Sequence, residues 1–227
     1  VPDGVERRLE LQAQRADAVA ARVERMLAPF TGSERALDAG CGVGALAFAL
    51  APYVRAVVGI DLNEEFIDAA RARAPANCTF VVGELTALPF GWGEFDLAGC
   101  ARVLHHVRRP ELVMSELSRV TRPGGRILVV DQLASIDPVA AIEHDRFERA
   151  RDPSHNRLLP DTDIRSLLDM NDLVVLENDI VHERRDVDSY LTLAGVPDEE
   201  RERLRRMAPA EVYDVEIGWY VARKRGG

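Results

Sequence analysis

Residues 36–50 read ALDAGCGVGALAFAL, and this stretch decides the fold. Ala36 and Leu37 open a short apolar run that closes on an acid, Asp38. Gly40, Gly42 and Gly44 follow at every second position, and a run of small and apolar residues, Ala45 to Leu50, has helical character. A buried strand, a glycine turn and a helix N-terminus in succession bring backbone close to a ligand. Glycine lacks a Cβ and tolerates positive φ, and the first turn of a helix offers unpaired N–H groups with partial positive charge.

Working outward, the pattern of strand then helix repeats. Strands are expected at Arg35–Ala39, Ala56–Ile60, Thr79–Val82, Phe95–Cys100 and Arg126–Asp131. The last of these, RILVVD, is continuously apolar, as a strand covered on both faces should be. Helices are expected after Gly44, from Asn63 to about Ala74, and from Pro110 to Val120. Asn63 suits an N-cap with Glu64 and Glu65 in the first turn. Arg122–Pro123–Gly124–Gly125 reads as a turn. Upstream, Val5, Leu9, Leu11, Ala16, Val19, Val23, Met26 and Leu27 fall at helical spacing, which predicts one or two amphipathic helices before the first strand.

After Asp131 the pattern changes. Asp137–Pro138 starts a helix in a segment rich in charge and histidine, and Thr162–Met170 is a further helix after which Asn171 takes the left-handed position. A sixth strand spans Leu173–Asp179 or longer, Val187–Ala208 holds one or two helices broken at Gly195 and Pro197, and Val212–Lys224 contains a last strand. The fold class is therefore α/β: a Rossmann-like, seven-stranded, mostly parallel, doubly wound sheet with helices on both faces and helical lid insertions. One domain covers 1–227, with cap helices over 1–34, a cofactor-binding core over 35–131, a lid and substrate region over 132–171, and the last strands with a helical insertion over 172–227.

Composition sets limits. The 227 residues carry a net charge of −9, with 47% hydrophobic and 30% charged residues, which fits a globular domain and argues against a nucleic-acid partner. Arg201, Arg203, Arg205 and Arg206 alternate with Glu199, Glu200 and Glu202, the pattern of a solvated helix face. No apolar run approaches membrane-spanning length and no signal peptide is visible, so a cytoplasmic protein, monomeric or homodimeric, is expected. Three cysteines, Cys41, Cys78 and Cys100, have no CxxC spacing, and neither a disulfide nor a metal site is expected.

Ligands of open α/β sheets bind at the carboxyl ends of the strands. Asp38, Asp61 and Glu84 end the first three strands. Asp61 is positioned to accept ribose hydroxyls, Glu84 an adenine amino hydrogen, and the Leu85 backbone a ring nitrogen. Residues 42–47 also match G-x-G-x-x-A with an acid following at Asp61, so an NAD(P)-dependent oxidoreductase is an alternative. Against it, Asp38 sits where it can meet a cationic amino group, which a pyrophosphate lacks.

LDAGCGVG resembles the first motif of class I S-adenosylmethionine-dependent methyltransferases. GELTALPFGWGEFDLAGCARVLHHV resembles the following segment of the ubiquinone/menaquinone-biosynthesis type, and RPGGRILVVD its post-motif turn and fifth strand. The resemblance covers about Arg35 to Asp131. It implies S-adenosyl-L-methionine as cofactor, S-adenosyl-L-homocysteine as product and a small-molecule acceptor, aromatic or quinone-like. The cofactor-contacting residues it implies are Asp38, Gly40, Cys41, Gly42 and Gly44 near the methionine part, Asp61 at the ribose diol and Leu62 on the adenine. Glu84 and Leu85 follow at the adenine edge, and Cys100 and Ala101 pass backbone carbonyls by the amino group. Glu84 departs from the family's usual Asp by one methylene. His105 and His106 match the family's His pair. Where the acceptor must lose a proton, His106, His144 and His155 are the candidate bases, with the segment 144–157 as a lid. A protein that binds the cofactor without turnover is a further alternative.

Overall fold

The computed structural model describes residues 4–226. The Leu11 side chain, part of the expected helical stripe, lies outside the described residues. The upstream stripe forms a single helix, α1 (Gly4–Leu27), ended where Pro29 removes the next helical donor. The chain then runs β1 (Arg35–Ala39), α2 (Ala45–Leu50), β2 (Ala56–Asp61), α3 (Glu64–Arg71), β3 (Cys78–Val82), β4 (Phe95–Ala101), a 3-10 turn at Leu104–His106, α4 (Pro110–Val120) and β5 (Thr121–Gln132). It continues through α5 (Pro138–Arg151), α6 (Asp161–Asp169), β6 (Leu173–Asp186), α7 (Val187–Leu193), α8 (Asp198–Arg205) and β7 (Val212–Lys224). Asn63 caps α3 by accepting from the Phe66 N–H at 3.2 Å, and Asp137 caps α5 by accepting from Val139 N–H at 2.8 Å.

The seven strands form one sheet in the order β3-β2-β1-β4-β5-β7-β6. All neighbours up to β5 pair parallel, and β7 runs antiparallel between β5 and β6. Strand order therefore reverses between β1 and β4, and the crevice above their carboxyl ends is the switch point of the fold. One apolar layer packs α1 and α2 on one face through Val23, Leu27, Leu46 and Leu50. The opposite layer packs α4 and α6 through Val113, Leu117, Ile164 and Leu168. A satellite cluster of Phe147, Val187, Leu191, Val196 and Leu204 joins α5, α7 and α8.

Three local expectations are corrected. Arg122–Gly125 is not a free turn but the first part of β5, where pairing with β4 jumps from Phe95↔Thr121 to Leu97↔Arg126. Gly124 supplies the positive φ of +75° that this irregularity needs. The left-handed residue after α6 is Asp172 (φ +59°) rather than Asn171, whose side chain donates back to the Leu167 carbonyl at 2.8 Å. Helix α3 stops at Arg71, three residues short of Ala74. Strand β6, expected over Leu173–Asp179 or longer, runs to Asp186, because it pairs with β7 along its whole length at the sheet edge, with Glu177, Asp179 and Glu183 on its half-buried face and Arg185 buried.

Candidate active site

Asp38 is 1% exposed at the end of β1, opposite Gly59 on one side and Gly99 on the other. A Cβ on Gly59 would meet the Phe80 ring at 2.4 Å, and one on Gly99 would meet Leu46 at 3.0 Å, so these glycines let α2 and Phe80 close over the strands. Gly44 precedes α2 with φ +97° and no side chain to cap it. Asp38 serves instead: its Oδ2 accepts from the Ala47 N–H at 2.8 Å, reaching into the first turn from the strand below. Burial pushes the Asp38 carboxyl up to about 7; the Ala47 bond opposes that rise and the Asp61 charge adds to it. Burial and the same carboxylates push the Cys41 thiol up, and burial with Asp38 pushes Cys78 up to about 11.

Asp61, at the end of β2, holds the glycine loop from the other side. Its Oδ2 accepts from Gly42 N–H and its Oδ1 from Asn63 N–H, each at 2.9 Å. The Gly40 and Cys41 N–H groups both point at the Ile60 carbonyl. Gly40 has φ +76°, and a Cβ there would collide with Val103 at 2.4 Å, whereas a Cβ on Gly42 would meet nothing within 4 Å. The loop is thus packed beneath and open above.

What lies above is a cavity of about 1300 Å³. Of the cofactor-contacting residues expected from the sequence, Gly40, Cys41, Gly42, Asp61, Leu62, Glu84, Leu85 and Ala101 line it. Asp38, Gly44 and Cys100 do not: the first two build the loop from behind, and the Cys100 side chain is fully buried between sheet and helices. Leu62 is 72% exposed, an apolar side chain with little of its surface covered. Glu84 accepts from the Thr86 hydroxyl at 2.8 Å. The helix α1 forms part of the wall through Gln12, Arg15, Ala16 and Val19, an i, i+3, i+4, i+7 stripe, and Trp219 of β7 forms another part.

A second cavity of about 340 Å³ adjoins the first; Arg15, Arg102, His106 and Asp152 line both. The histidines separate here. His106 stands at the junction, with its Nδ1 3.0 Å from the Ser154 hydroxyl. His105 binds the buried Asp131 through Nδ1, and that charge and its hydrogen bonds hold the Asp131 carboxyl below the usual range although burial would raise it. His155 lines the second cavity, 5% exposed, with Nε2 2.9 Å from Asp145 Oδ1. His144 lines neither cavity. It faces Gln132 at 3.3 Å and Glu148 at 3.4 Å, with Tyr213 edge-on to its ring. His144, Glu148 and Arg151 share one face of α5, but Phe147 beside it is fully buried in the satellite core, so α5 turns that face inward.

Sequence reasoning gave no role to Arg15, Arg102, Ser154, Glu183 and Arg185. The α1 wall shares Ala16 and Val19 with the apolar stripe that the spacing predicts, while Gln12 and Arg15 carry no such signal. Nothing local marks Arg185, which becomes central only because β6 runs on past Asp179. Among the described residues no cluster of three or more His, Cys, Asp or Glu could hold a metal ion, and no helix is long and apolar enough to cross a membrane.

The family model described as a methyltransferase domain matches residues 37–129, which span the glycine loop, Asp61, Glu84 and the His pair. An uncharacterized methyltransferase, YcgJ of Bacillus subtilis, is 31% identical over 167 residues, covering 72% of this chain and 66% of YcgJ. The chain carries a methyltransferase domain. A demethylmenaquinone methyltransferase of Clavibacter sepedonicus is 33% identical over 137 residues, 60% of this chain and 56% of that relative. The chain thus spans less than two thirds of the length of either curated relative. The crystal structure of BH2331 from Bacillus halodurans superposes with a TM-score of 0.82 at 26% identity, covering 91% of this chain and 98% of that one. The sheet order is that of the class I methyltransferase fold.

Proposed function

We propose that this methyltransferase-family chain moves the methyl group of S-adenosylmethionine to a small-molecule acceptor, aromatic or quinone-like, and releases S-adenosylhomocysteine. The reading is carried by the cavity above β1 and β4, floored by glycine-loop backbone with Asp61 at its edge. The residues fit the cofactor. Gly42 leaves open space where a side chain would stand, and Leu62 offers uncovered apolar surface. Each Asp61 oxygen takes one N–H bond and keeps acceptor capacity for a hydroxyl.

In this reading Asp61 accepts the ribose hydroxyls and Leu62 packs on the adenine. Glu84 and the Leu85 backbone hold the adenine edge. Gly40, Cys41, Gly42 and the Cys100 and Ala101 carbonyls flank the methionine end, while Asp38 and Gly44 keep the loop in shape. The bound cofactor supplies a methyl on an already activated sulfonium. The chain therefore has to align the acceptor in line and keep water out, which α1 does as one wall. His106, at the junction of the two cavities, is the histidine that takes a proton from a phenol or activated carbon. His155 acts from the far chamber by shaping it, and His144 leaves the list of bases because it reaches neither cavity.

Calorimetric titration with S-adenosylhomocysteine and with NAD tests the cofactor assignment. Binding of the first and not the second is expected, and NAD binding alone would overturn it. Asp61→Ala should weaken S-adenosylhomocysteine by about 1–3 kcal/mol, because it leaves buried hydroxyls and two loop N–H groups unpaired. Transfer of labelled methyl to a panel of phenols and hydroquinones tests turnover. Tight cofactor binding with no transfer to any of them would favour a non-catalytic binding protein.

A further inference from the structure

The second chamber has an electrostatic character unlike the rest of the molecule. The chain carries a net charge of −9, yet Arg15, Arg102, Arg151 and Arg185 all line this small space. Their carboxylate partners are Glu148, Glu183 and Asp152: four guanidiniums against three carboxylates. Glu183 alone serves three of the arginines, at 3.7 Å from Arg15, 2.5 Å from Arg102 and 3.8 Å from Arg185. Two histidine–carboxylate pairs border the chamber, His105 with Asp131 and His155 with Asp145, so these carboxylates have partners of their own.

Arg185 is the least satisfied member. Its side chain is 7% exposed, yet its nearest carboxylate contacts are long, 3.4 Å from Nη1 to Glu148 and 3.8 Å from Nη2 to Glu183. Charge-assisted bonds are normally about 2.7–2.9 Å. Its Nε has no hydrogen-bond partner among the described residues. The Nε and Nη2 edge is the side of a guanidinium that grips a carboxylate with two parallel bonds, and here it holds no close carboxylate, the Tyr213 hydroxyl being the other polar group beside Arg185. The plane of the guanidinium is held in advance: it lies over the Tyr190 ring at 4.6 Å, and Tyr190 donates to Glu148 at 3.0 Å.

A second observation comes from the junction. Arg102 has φ +58°, a left-handed conformation that a long side chain adopts only under constraint, and its N–H is fixed on the Val130 carbonyl at 2.7 Å. The strain turns this residue toward the shared wall of the two cavities. Burial, with repulsion from Arg15 and Arg185, lowers the Arg102 pKa to about 10 despite its bond to Glu183.

We infer that the acceptor carries a carboxylate, seated in the second chamber on this edge of Arg185 with Arg15 and Arg102 beside it, so that its reactive end is presented past His106. The inference rests on the methyl-transfer reading and narrows it to small, acidic acceptors such as aromatic acids. The chamber volume suits a group of that size, with Leu158 and Leu193 supplying apolar wall.

The test uses matched probes on the full chain loaded with S-adenosylhomocysteine: benzoate against benzamide, and indole-3-acetate against its carboxamide, titrated by calorimetry or ligand-observed NMR. At least one acid should bind about tenfold or more tightly than its amide, a difference of about 1.4 kcal/mol. Arg185→Gln should abolish the preference while S-adenosylhomocysteine affinity stays the same. Arg15→Gln, at a half-exposed position on α1, should reduce it in a protein with an intact α5–β6 core. Equal binding of acids and amides, stronger binding of the amides, or no binding of any acid up to millimolar concentration would overturn the inference. Failure of S-adenosylhomocysteine itself to bind would overturn the cofactor reading instead, so the two failures are separate.

Discussion

Asp38 is asked to do two things that oppose each other. It caps α2 from within the strand, which any hydrogen-bond acceptor could do, and it stands one loop away from where a cationic amino group would lie. Burial raises its pKa to about 7, with the Ala47 N–H opposing and Asp61 adding to the rise. The unfolded carboxyl titrates near about 3.9. The folded state therefore holds the proton more tightly, and the stability tied to this group is full below about pH 4 and is lost as pH rises through about 7. A bound ammonium has the reverse preference and selects the ionised form. S-adenosylhomocysteine affinity is thus expected to rise about tenfold between pH 6 and pH 8, with proton release on binding. Calorimetry in buffers of different ionisation enthalpy measures both quantities, and Asp38→Asn should flatten the profile. A flat profile in the unsubstituted protein would show that Asp38 only caps the helix.

At the scale of elements, the segment joining α5 to α6 decides the shape of the second chamber, and it hangs on one side chain. Asp145 Oδ1 accepts from His155 Nε2 and from Leu158 N–H, each at 2.9 Å. Burial alone would raise its pKa, but these two bonds and the His155 charge outweigh it and hold the carboxyl below the usual range. Stability from such a group is present above about 3.9 and is lost as pH falls through the folded value. Asp145→Ala should cost about 1–3 kcal/mol in denaturant unfolding, since it strands a buried imidazole and a backbone N–H. An unchanged midpoint would mean that the segment is held elsewhere. The same elements show where sequence was legible. Strands and helices up to Asp131 are readable because covered parallel strands are apolar and their helix starts are local: Asn63 and Pro110 each act within their own turn. The β6 extension was not, because NDIVHERRD carries charge at most positions and becomes a strand only by pairing with β7. His144 is legible as a histidine on a helix, yet the direction of its face depends on Phe147 finding a core made by α7 and α8, two elements far along the chain. The cofactor loop was readable residue by residue; the arginine chamber, assembled from α1, β4, α5 and β6, left no local pattern.

For the molecule as a whole, α1 is two helices in function though one in geometry. Its C-terminal half is part of the core: Val23, Met26 and Leu27 are buried, and Arg126 of β5 donates to the Leu27 carbonyl. Its N-terminal half lies over the large cavity with no comparable seam among its described side chains, and Arg15 ties it to Glu183 at 3.7 Å with the pair about one-third exposed. An exposed pair of that kind is worth about 0–1 kcal/mol, too little to hold a helix end against fraying. Opening free energies should therefore be graded along α1, near the global value at Val23–Leu27 and low around residues 9–16. A ligand that fills the cavity and touches Gln12, Arg15, Ala16 and Val19 stabilises only the closed form, so it should raise protection in the N-terminal half and leave the other half unchanged. Hydrogen–deuterium exchange on peptides spanning each half, with and without S-adenosylhomocysteine, reads this directly. Uniform protection along α1 in the free protein would mean that the cavity wall is rigid and that substrate enters by another route. Graded protection that the ligand erases would make the first half of α1 the moving wall of the site, with Arg15 carrying a charge between the cofactor cavity and the acceptor chamber each time it closes.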